Sequence, residues 1–283
     1  MELNTYKYIL NIYNIHNMGN NNDIKIIFTD IDWTILNHGH GKHVYDMQSI
    51  KALKKAQKNG LKVFISTARP HESLKLTGFF DLFKPDGMVL SNGGVIFIGD
   101  EIIFHDHMEP DLVRRICEVA KKRNIVIQFV DEYDRWLSAP INEDAQHYFD
   151  VYFEKLPEIR GYNGENVSGV LLFCKEDQDA EIIKEINHPE LDVFRLFPYA
   201  IDIRHHLIRK NDGVQRVLDY YGYTGKDALA IGDDIPDIPM FLLCKNSIAM
   251  GNGHEKAKEA ASYVTCHIDR HGVKKALKHF HII

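Results

Sequence analysis

Residues 24–29, Ile-Lys-Ile-Ile-Phe-Thr, form a short apolar, β-branched run that ends directly on two aspartates, Asp30 and Asp32. A run of this kind reads as a buried strand. The arrangement returns three times. Leu61–Ile65 ends in Ser66-Thr67-Ala68-Arg69-Pro70, Met88–Leu90 in Ser91-Asn92-Gly93-Gly94, and Ala228–Ile231 in Gly232-Asp233-Asp234. Between the first two, Met47, Ile50, Leu53 and Ala56 recur at helical spacing, and Asn59-Gly60 stops the pattern. Further helices are expected over 71–79, 212–222, 237–244, 254–261 and 272–280, with strands at Ser247–Met250 and Tyr263–Val264. Such alternation implies an α/β fold, a doubly wound parallel sheet with right-handed crossovers.

The middle of the chain carries its own set. Helices are expected over 110–123, 143–155 and 177–187, and strands over 125–130, 167–173 and 191–197. That reads as a compact α/β unit, residues 105–203, inserted into a core made of 24–104 and 204–283. Residues 1–23 are expected to be a weakly ordered N-terminal extension, with Met18 a possible alternative start.

Composition narrows the function classes. A net charge of −6 with no basic stripe argues against a nucleic-acid partner. No run reaches the ~18 apolar residues that span a bilayer, so no membrane partner is expected. The stretch Tyr8 to Tyr13 is interrupted by Asn11 and lacks the small-residue site of a signal peptide. Cys117, Cys174, Cys244 and Cys266 form no C-x-x-C pair, which points to free thiols in a reducing cytoplasm.

In open α/β sheets, ligands bind beyond the carboxyl ends of the strands. Those ends here carry Asp30 and Asp32, Thr67, Asn92, and Asp233, Asp234 and Asp237. Several carboxylates gathered at one place repel, and a cation offsets that repulsion. Hard oxygen ligands without a nearby thiolate favour Mg²⁺. Asp30-x-Asp32 places two carboxylates on one side of a strand end. One can attack phosphorus while the other moves a proton.

These residues resemble the haloacid dehalogenase (HAD) superfamily, whose four motifs occur in order. Asp30-Ile31-Asp32-Trp33-Thr34 is similar to D-x-D-x-T, and Thr67-Ala68-Arg69 to T-G-R. Lys210, with Gly213 three residues on, fits the third motif, and Gly232-Asp233-Asp234-Ile235-Pro236-Asp237 the fourth. Asn92-Gly93, Ile248 to Asn252, and the position of the 105–203 insertion resemble the Cof-type branch, in which that insertion is a cap. The resemblance implies a Mg²⁺-dependent phosphatase that hydrolyses small phosphorylated metabolites, sugar phosphates among them, through a phospho-aspartate on Asp30. It implies Asp32 as general acid–base, with its backbone carbonyl on the metal. Thr67 and the Ala68 N–H would hold the phosphoryl group, and Lys210 would neutralise charge. Asp233 would bind Mg²⁺, with Asp237 supporting it. Specificity would sit on the cap. Two other readings use the same residues: a receiver-like signalling module, and a sugar-phosphate sensor that has lost catalysis.

Several positions stay open. Arg69 either pairs with an acid at a helix start or contacts substrate under the cap. Asn92 either makes a turn or lines the site. His38, His40 and His43 follow the first motif directly and are expected near the mouth of the site rather than on a metal. Trp33 stands where the first motif usually has Gly, and its bulk is expected to be tolerated. Ala68 replaces the Gly of the second motif, which matters only if φ there is positive. Pro236 replaces an Asn common in the branch.

Overall fold

A computed structural model of the chain describes residues 24–39, 43–152, 155–206 and 208–283. The expected N-terminal extension and His40 lie outside these residues.

The chain opens with β1 (Ile26–Thr29), the short pair β2 (Leu36–Asn37) and β3 (Val44–Tyr45), then α1 (Met47–Lys58). β4 (Lys62–Ser66) follows, with α2 (His71–Leu76), α3 (Phe79–Leu82), β5 (Gly87–Leu90), β6 (Val95–Ile98) and β7 (Glu101–His105). The middle segment holds α4 (Pro110–Lys122), β8 (Val126–Val130), β9 (Arg135–Leu137), α5 (Glu143–Tyr152) and β10 (Glu158–Ile159). It continues with β11 (Gly169–Phe173), α6 (Asp179–Ile186), β12 (Leu191–Phe197) and β13 (Ala200–His205). The chain closes with α7 (Lys210–Tyr221), β14 (Ala228–Gly232), α8 (Ile238–Leu243), β15 (Asn246–Ala249), α9 (Glu255–Ala260), β16 (Tyr263–Val264) and α10 (Gly272–His279).

Among the described residues, eight strands form one sheet in the order β16-β15-β14-β1-β4-β5-β6-β7. The first six run parallel; β6 and β7 add antiparallel at the edge. Strands at 95–105 are not expected from the sequence, where Asn92-Gly93-Gly94 marks only a strand end. Both faces of the sheet are covered. Ile27, Val63 and Ile65 pack into one cluster with α1 and α10, while Ile26, Phe28 and Phe64 pack into another with α7 and α8. That two-sided burial is why β1 and β4 read as near-continuous apolar runs rather than alternating ones.

The middle segment forms a separate six-stranded sheet, β10-β9-β8-β11-β13-β12. One face packs under α4 and α6 through Ile127, Phe129, Val170, Leu172 and Ile203. On the other face, Val126, Leu171, Phe173 and Ala200 pack with Ala145 and Phe149 of α5. Its last strand runs on past residue 203 to His205. Asp106, just after β7, and His205, at the end of β13, pair at 2.7 Å.

Candidate active site

β1 is central in the large sheet, between β14 and β4, so its carboxyl end lies where polar residues from neighbouring strands converge. Asp30 extends the ladder: its N–H donates to the Ile231 carbonyl at 2.8 Å. The chain then turns sharply. The Ile31 carbonyl accepts from the N–H groups of Ile35 and Leu36 at 2.9 and 2.8 Å. Trp33 occupies this turn with φ of 55°. A left-handed φ suits glycine and strains a bulky residue, so at this position the difficulty is backbone conformation, not bulk. Asn252 holds the turn: its Nδ2 donates to the Trp33 carbonyl at 2.8 Å, and its Oδ1 accepts the Ile268 N–H. Thr34 Oγ1 donates to Asp233 Oδ1 at 3.0 Å, tying the first motif to the fourth.

Lys210 begins α7 and is buried, with Nζ 2.7 Å from Asp30 Oδ1 and 2.6 Å from Asp237 Oδ1. Two glycines permit this seating. A Cβ on Gly213 would lie 2.4 Å from Val89 Cγ1, and one on Gly93 would lie 2.5 Å from the Arg209 carbonyl oxygen. The start of α7 can therefore press against the turn after β5. Asp237 divides its carboxylate. Oδ1 meets Lys210, while Oδ2 accepts the N–H groups of Asp233 and Asp234 at 2.9 and 3.1 Å. Gly232 leaves room for it, since a Cβ there would meet Asp237 Oδ2 at 2.3 Å.

Burial raises the Asp30 carboxyl to about 7, with Lys210 opposing and Asp237 and Asp32 adding to the rise. Burial and the charges of Asp30 and Asp237 push Asp233 further, to about 9, against the Thr34 hydrogen bond and Lys210. Burial also acts on Lys210, but the two carboxylates outweigh it and hold the ammonium charged. Carboxylate oxygens of Asp30, Asp233 and Asp237 lie within 4.8 Å of one another. Three buried hard-oxygen donors, two of them reluctant to ionise together, fit a divalent cation of the Mg²⁺ type.

Asp32 stands apart from that cluster. Arg69 grips it with Nη2 to Oδ1 at 2.7 Å and Nε to Oδ2 at 2.8 Å, and its Nη1 donates to Ser73 Oγ. His38 Nε2 lies 2.5 Å from Asp32 Oδ1, and His43 Nδ1 lies 2.9 Å from His38 Nδ1. Burial alone would raise Asp32, but Arg69 and His38 outweigh it and hold the carboxyl well below the usual range. The side chain of Asp32 is thus outside the candidate metal ligands. Arg69 thus pairs with an acid, as one of its two readings has it, and it also lines the cavity where the other would place it.

Thr67 is buried, and its Oγ1 accepts the Arg69 N–H at 3.2 Å. Ala68 is exposed and is not among the positive-φ residues, so its Cβ is harmless. Asn92 has φ of 56° and its N–H donates to the Thr67 carbonyl at 3.0 Å. It belongs to the turn after β5, and Ser91 rather than Asn92 lines the cavity. Of the histidines, His38 meets Asp32, in line with a place at the mouth.

These groups open on a cavity of about 350 Å³. Asp30, Asp32, Trp33, Thr67, Lys210 and Asp233 line one side. The middle segment closes the other with Gln128, Arg135, Tyr148, Ser168, Asp202 and Arg204. No sequence motif marks this second group. Its one signal was a polar residue inside an apolar strand: Gln128 in Val126-Ile127-Gln128-Phe129-Val130 and Asp202 in Ile201-Asp202-Ile203.

A doubly wound sheet with an inserted second sheet, and a carboxylate–lysine site at their junction, defines a HAD-type fold. Residues 27–277 match the haloacid dehalogenase-like hydrolase family, and the chain belongs to it, in its Cof-type branch. It is similar to a Bacillus subtilis 5-amino-6-(5-phospho-D-ribitylamino)uracil phosphatase, YcsE, at 27% identity over 91% of this chain and 96% of that one. It resembles the HAD subclass IIB sugar phosphatase BT4131 with TM-score 0.77 and 27% identity, covering 92% of this chain and all of that one. A Geobacillus kaustophilus protein shares the fold with TM-score 0.84 at 24% identity, over 92% of this chain and 100% of that one. All four cysteines are free, and among the described residues no helix is long and apolar enough to cross a membrane.

Proposed function

We propose that this phosphoric monoester hydrolase cleaves small phosphorylated metabolites, sugar or polyol phosphates in particular, through a phospho-aspartate on Asp30. The observation that carries the reading is the convergence of Asp30, Lys210, Asp233 and Asp237 at one end of the cavity, with Thr67 beside them. The relatives named for a sugar phosphate and a ribityl phosphate support the substrate class.

Asp30 and Asp233 would hold Mg²⁺ with the Asp32 carbonyl, and Asp237 would support them. When bound, the cation supplies positive charge that offsets charge on the phosphoryl oxygens. The Asp30 carboxylate attacks phosphorus and the ester P–O bond breaks. The departing alkoxide takes a proton from Asp32. Water then attacks the aspartyl phosphate, loses a proton to Asp32, and releases phosphate with Asp30 restored. Thr67 Oγ1 and the Ala68 N–H steady the moving phosphoryl group, and Lys210 keeps Asp30 ionised for attack. Asp32 donates in its protonated form and accepts in its ionised form. Its grip by Arg69 and His38 favours the second, so proton delivery in the first step requires that grip to open.

Residues 105–203 would act as the cap and the remainder from 24 to 283 as the catalytic core. The test is phosphate release from an aryl phosphate with and without Mg²⁺. Turnover supports the hydrolase. Stable phosphorylation without turnover would instead match the receiver-like module, and binding with neither would match the retired sensor.

A further inference from the structure

Gln128 sits at the middle of β8, in a strand that is buried along its whole length. Its neighbours Ile127 and Phe129 face the apolar side under α4 and α6. Gln128 therefore faces the other way, into the cavity it lines. The residue is 2% exposed, and its Oε1 is buried without a hydrogen-bond partner. A buried amide oxygen left unpaired is destabilising. An apolar side chain would serve the fold better at this position.

The register shows what surrounds it. Gln128 pairs with Leu171 on β11, and Leu171 pairs with Asp202 on β13. The three form one row across the cavity face, with the polar groups about 10 Å apart at ordinary strand spacing. Asp202 is already committed: Arg204 Nε donates to its Oδ1 at 3.1 Å and Nη2 pairs with Oδ2. Arg204 also donates to the Ser91 carbonyl at 2.9 Å. Arg135, the other guanidinium of this wall, pairs with Glu72. Both cations of the wall are thus matched by carboxylates. What the wall offers a ligand is the neutral Gln128 amide, beside Tyr148 and the apolar Val130 and Leu171.

We propose that Gln128 is a specificity-determining residue that hydrogen-bonds a hydroxyl on the leaving group, and that the substrates are phosphomonoesters of uncharged, hydroxylated alcohols. This deepens the phosphatase reading and rests on it for the location of the phosphate. A second anionic group on the leaving part finds no uncommitted cation on this wall. A plain alkyl chain leaves the amide unpaired, and a site built for a hydroxyl discriminates strongly against its absence.

The test compares ribitol 5-phosphate with n-pentyl phosphate on the parent protein, Gln128→Met and Gln128→Glu. Met is close to Gln in volume and keeps the packing; Glu keeps an acceptor at the same reach. Two readouts are taken: kcat/KM with Mg²⁺, and equilibrium binding by calorimetry in EDTA, where phosphate release is not needed. The parent is expected to prefer ribitol 5-phosphate in both. In Gln128→Met that preference falls about tenfold, mainly through KM, with pentyl phosphate gaining. Gln128→Glu keeps part of it. An unchanged preference in Gln128→Met, or a parent without one, overturns the proposal. If no phosphate is released but the binding preference stands and falls with Gln128, the phosphatase reading fails and the role of Gln128 survives.

Discussion

Lys210 Nζ lies 2.6 Å from Asp237 Oδ1 and 2.7 Å from Asp30 Oδ1, so one ammonium bridges the nucleophile candidate and a carboxylate that also orders the fourth-motif loop. Asp237 is at once the anchor of Lys210 and the acceptor for the Asp233 and Asp234 N–H groups.

Asp237→Asn should therefore damage more than one function. The amide turns an N–H donor either toward the Lys210 ammonium or toward the backbone donors. We expect kcat to fall about 100-fold and Mg²⁺ affinity to fall about tenfold. A Mg²⁺ titration of the rate reads both. A loss confined to thermal stability would contradict this role.

Arg69→Met should free Asp32. Burial, the largest influence on Asp32, then acts without the guanidinium that outweighs it, and the carboxyl rises. Because Asp32 must be protonated for the first step, the alkaline limb of kcat/KM against pH should move upward by about one unit or more. Arg69→Lys should move it less, keeping the charge but losing the two-point grip. An unmoved alkaline limb in Arg69→Met would show that Asp32 does not set it.

The carboxylate cluster makes a linked prediction for pH and metal. Asp30 at about 7 and Asp233 at about 9 both lie above the ordinary carboxylate value. Raised groups stabilise the fold fully below their unfolded value of about 4 and lose that contribution as pH rises through the folded value. The metal-free protein should thus lose stability between about pH 5 and 9. Mg²⁺ must displace those protons, so its stabilising effect should grow with pH. The difference in Tm between Mg²⁺ and EDTA is expected to be larger at about pH 8.5 than at about pH 5.5. The reverse order would contradict the assignment.

Pro236→Asn should be mild. The loop is oriented by the Asp233 and Asp234 N–H groups on Asp237, and Pro236 lies in the first turn of a short 3₁₀ segment, where no donor is needed. Activity is expected to stay within about threefold. Stability should fall by about 0.4–1 kcal/mol as the unfolded chain gains freedom. A loss of activity as large as that of Asp233→Asn would show that the proline sets the loop geometry.

Much of this was legible because the large sheet is buried on both faces. Apolar runs such as Ile26–Thr29 and Ala228–Gly232 mark its strands, and the polar residues that end them mark the site. Asp30, Thr67 and Asp233 stand at those ends, Lys210 comes only from the family resemblance, and all four line one cavity. The edge strands β6 and β7 escaped because they follow the Ser91–Gly94 turn without a helix between, so alternation gave no sign of them. Asn92 was open between a turn and the site because it follows a strand; it makes the turn, and its neighbour Ser91 lines the cavity. Trp33 looked like a question of bulk because sequence does not display φ. The cavity wall made by Gln128, Asp202 and Arg204 depends on which face of a second sheet meets the first, a tertiary relationship that no local pattern encodes.

The central claim is that Asp30 carries the phosphoryl group. The direct measurement is acid quench of the enzyme during turnover of an aryl phosphate with Mg²⁺, followed by mass spectrometry of the peptide that contains Asp30, for the parent and Asp30→Asn. The account predicts one added phosphoryl group on Asp30 in the parent, and neither that adduct nor turnover in a folded Asp30→Asn. Turnover in Asp30→Asn above a few per cent of the parent rate, or a phosphoryl group trapped on a different residue, would contradict it.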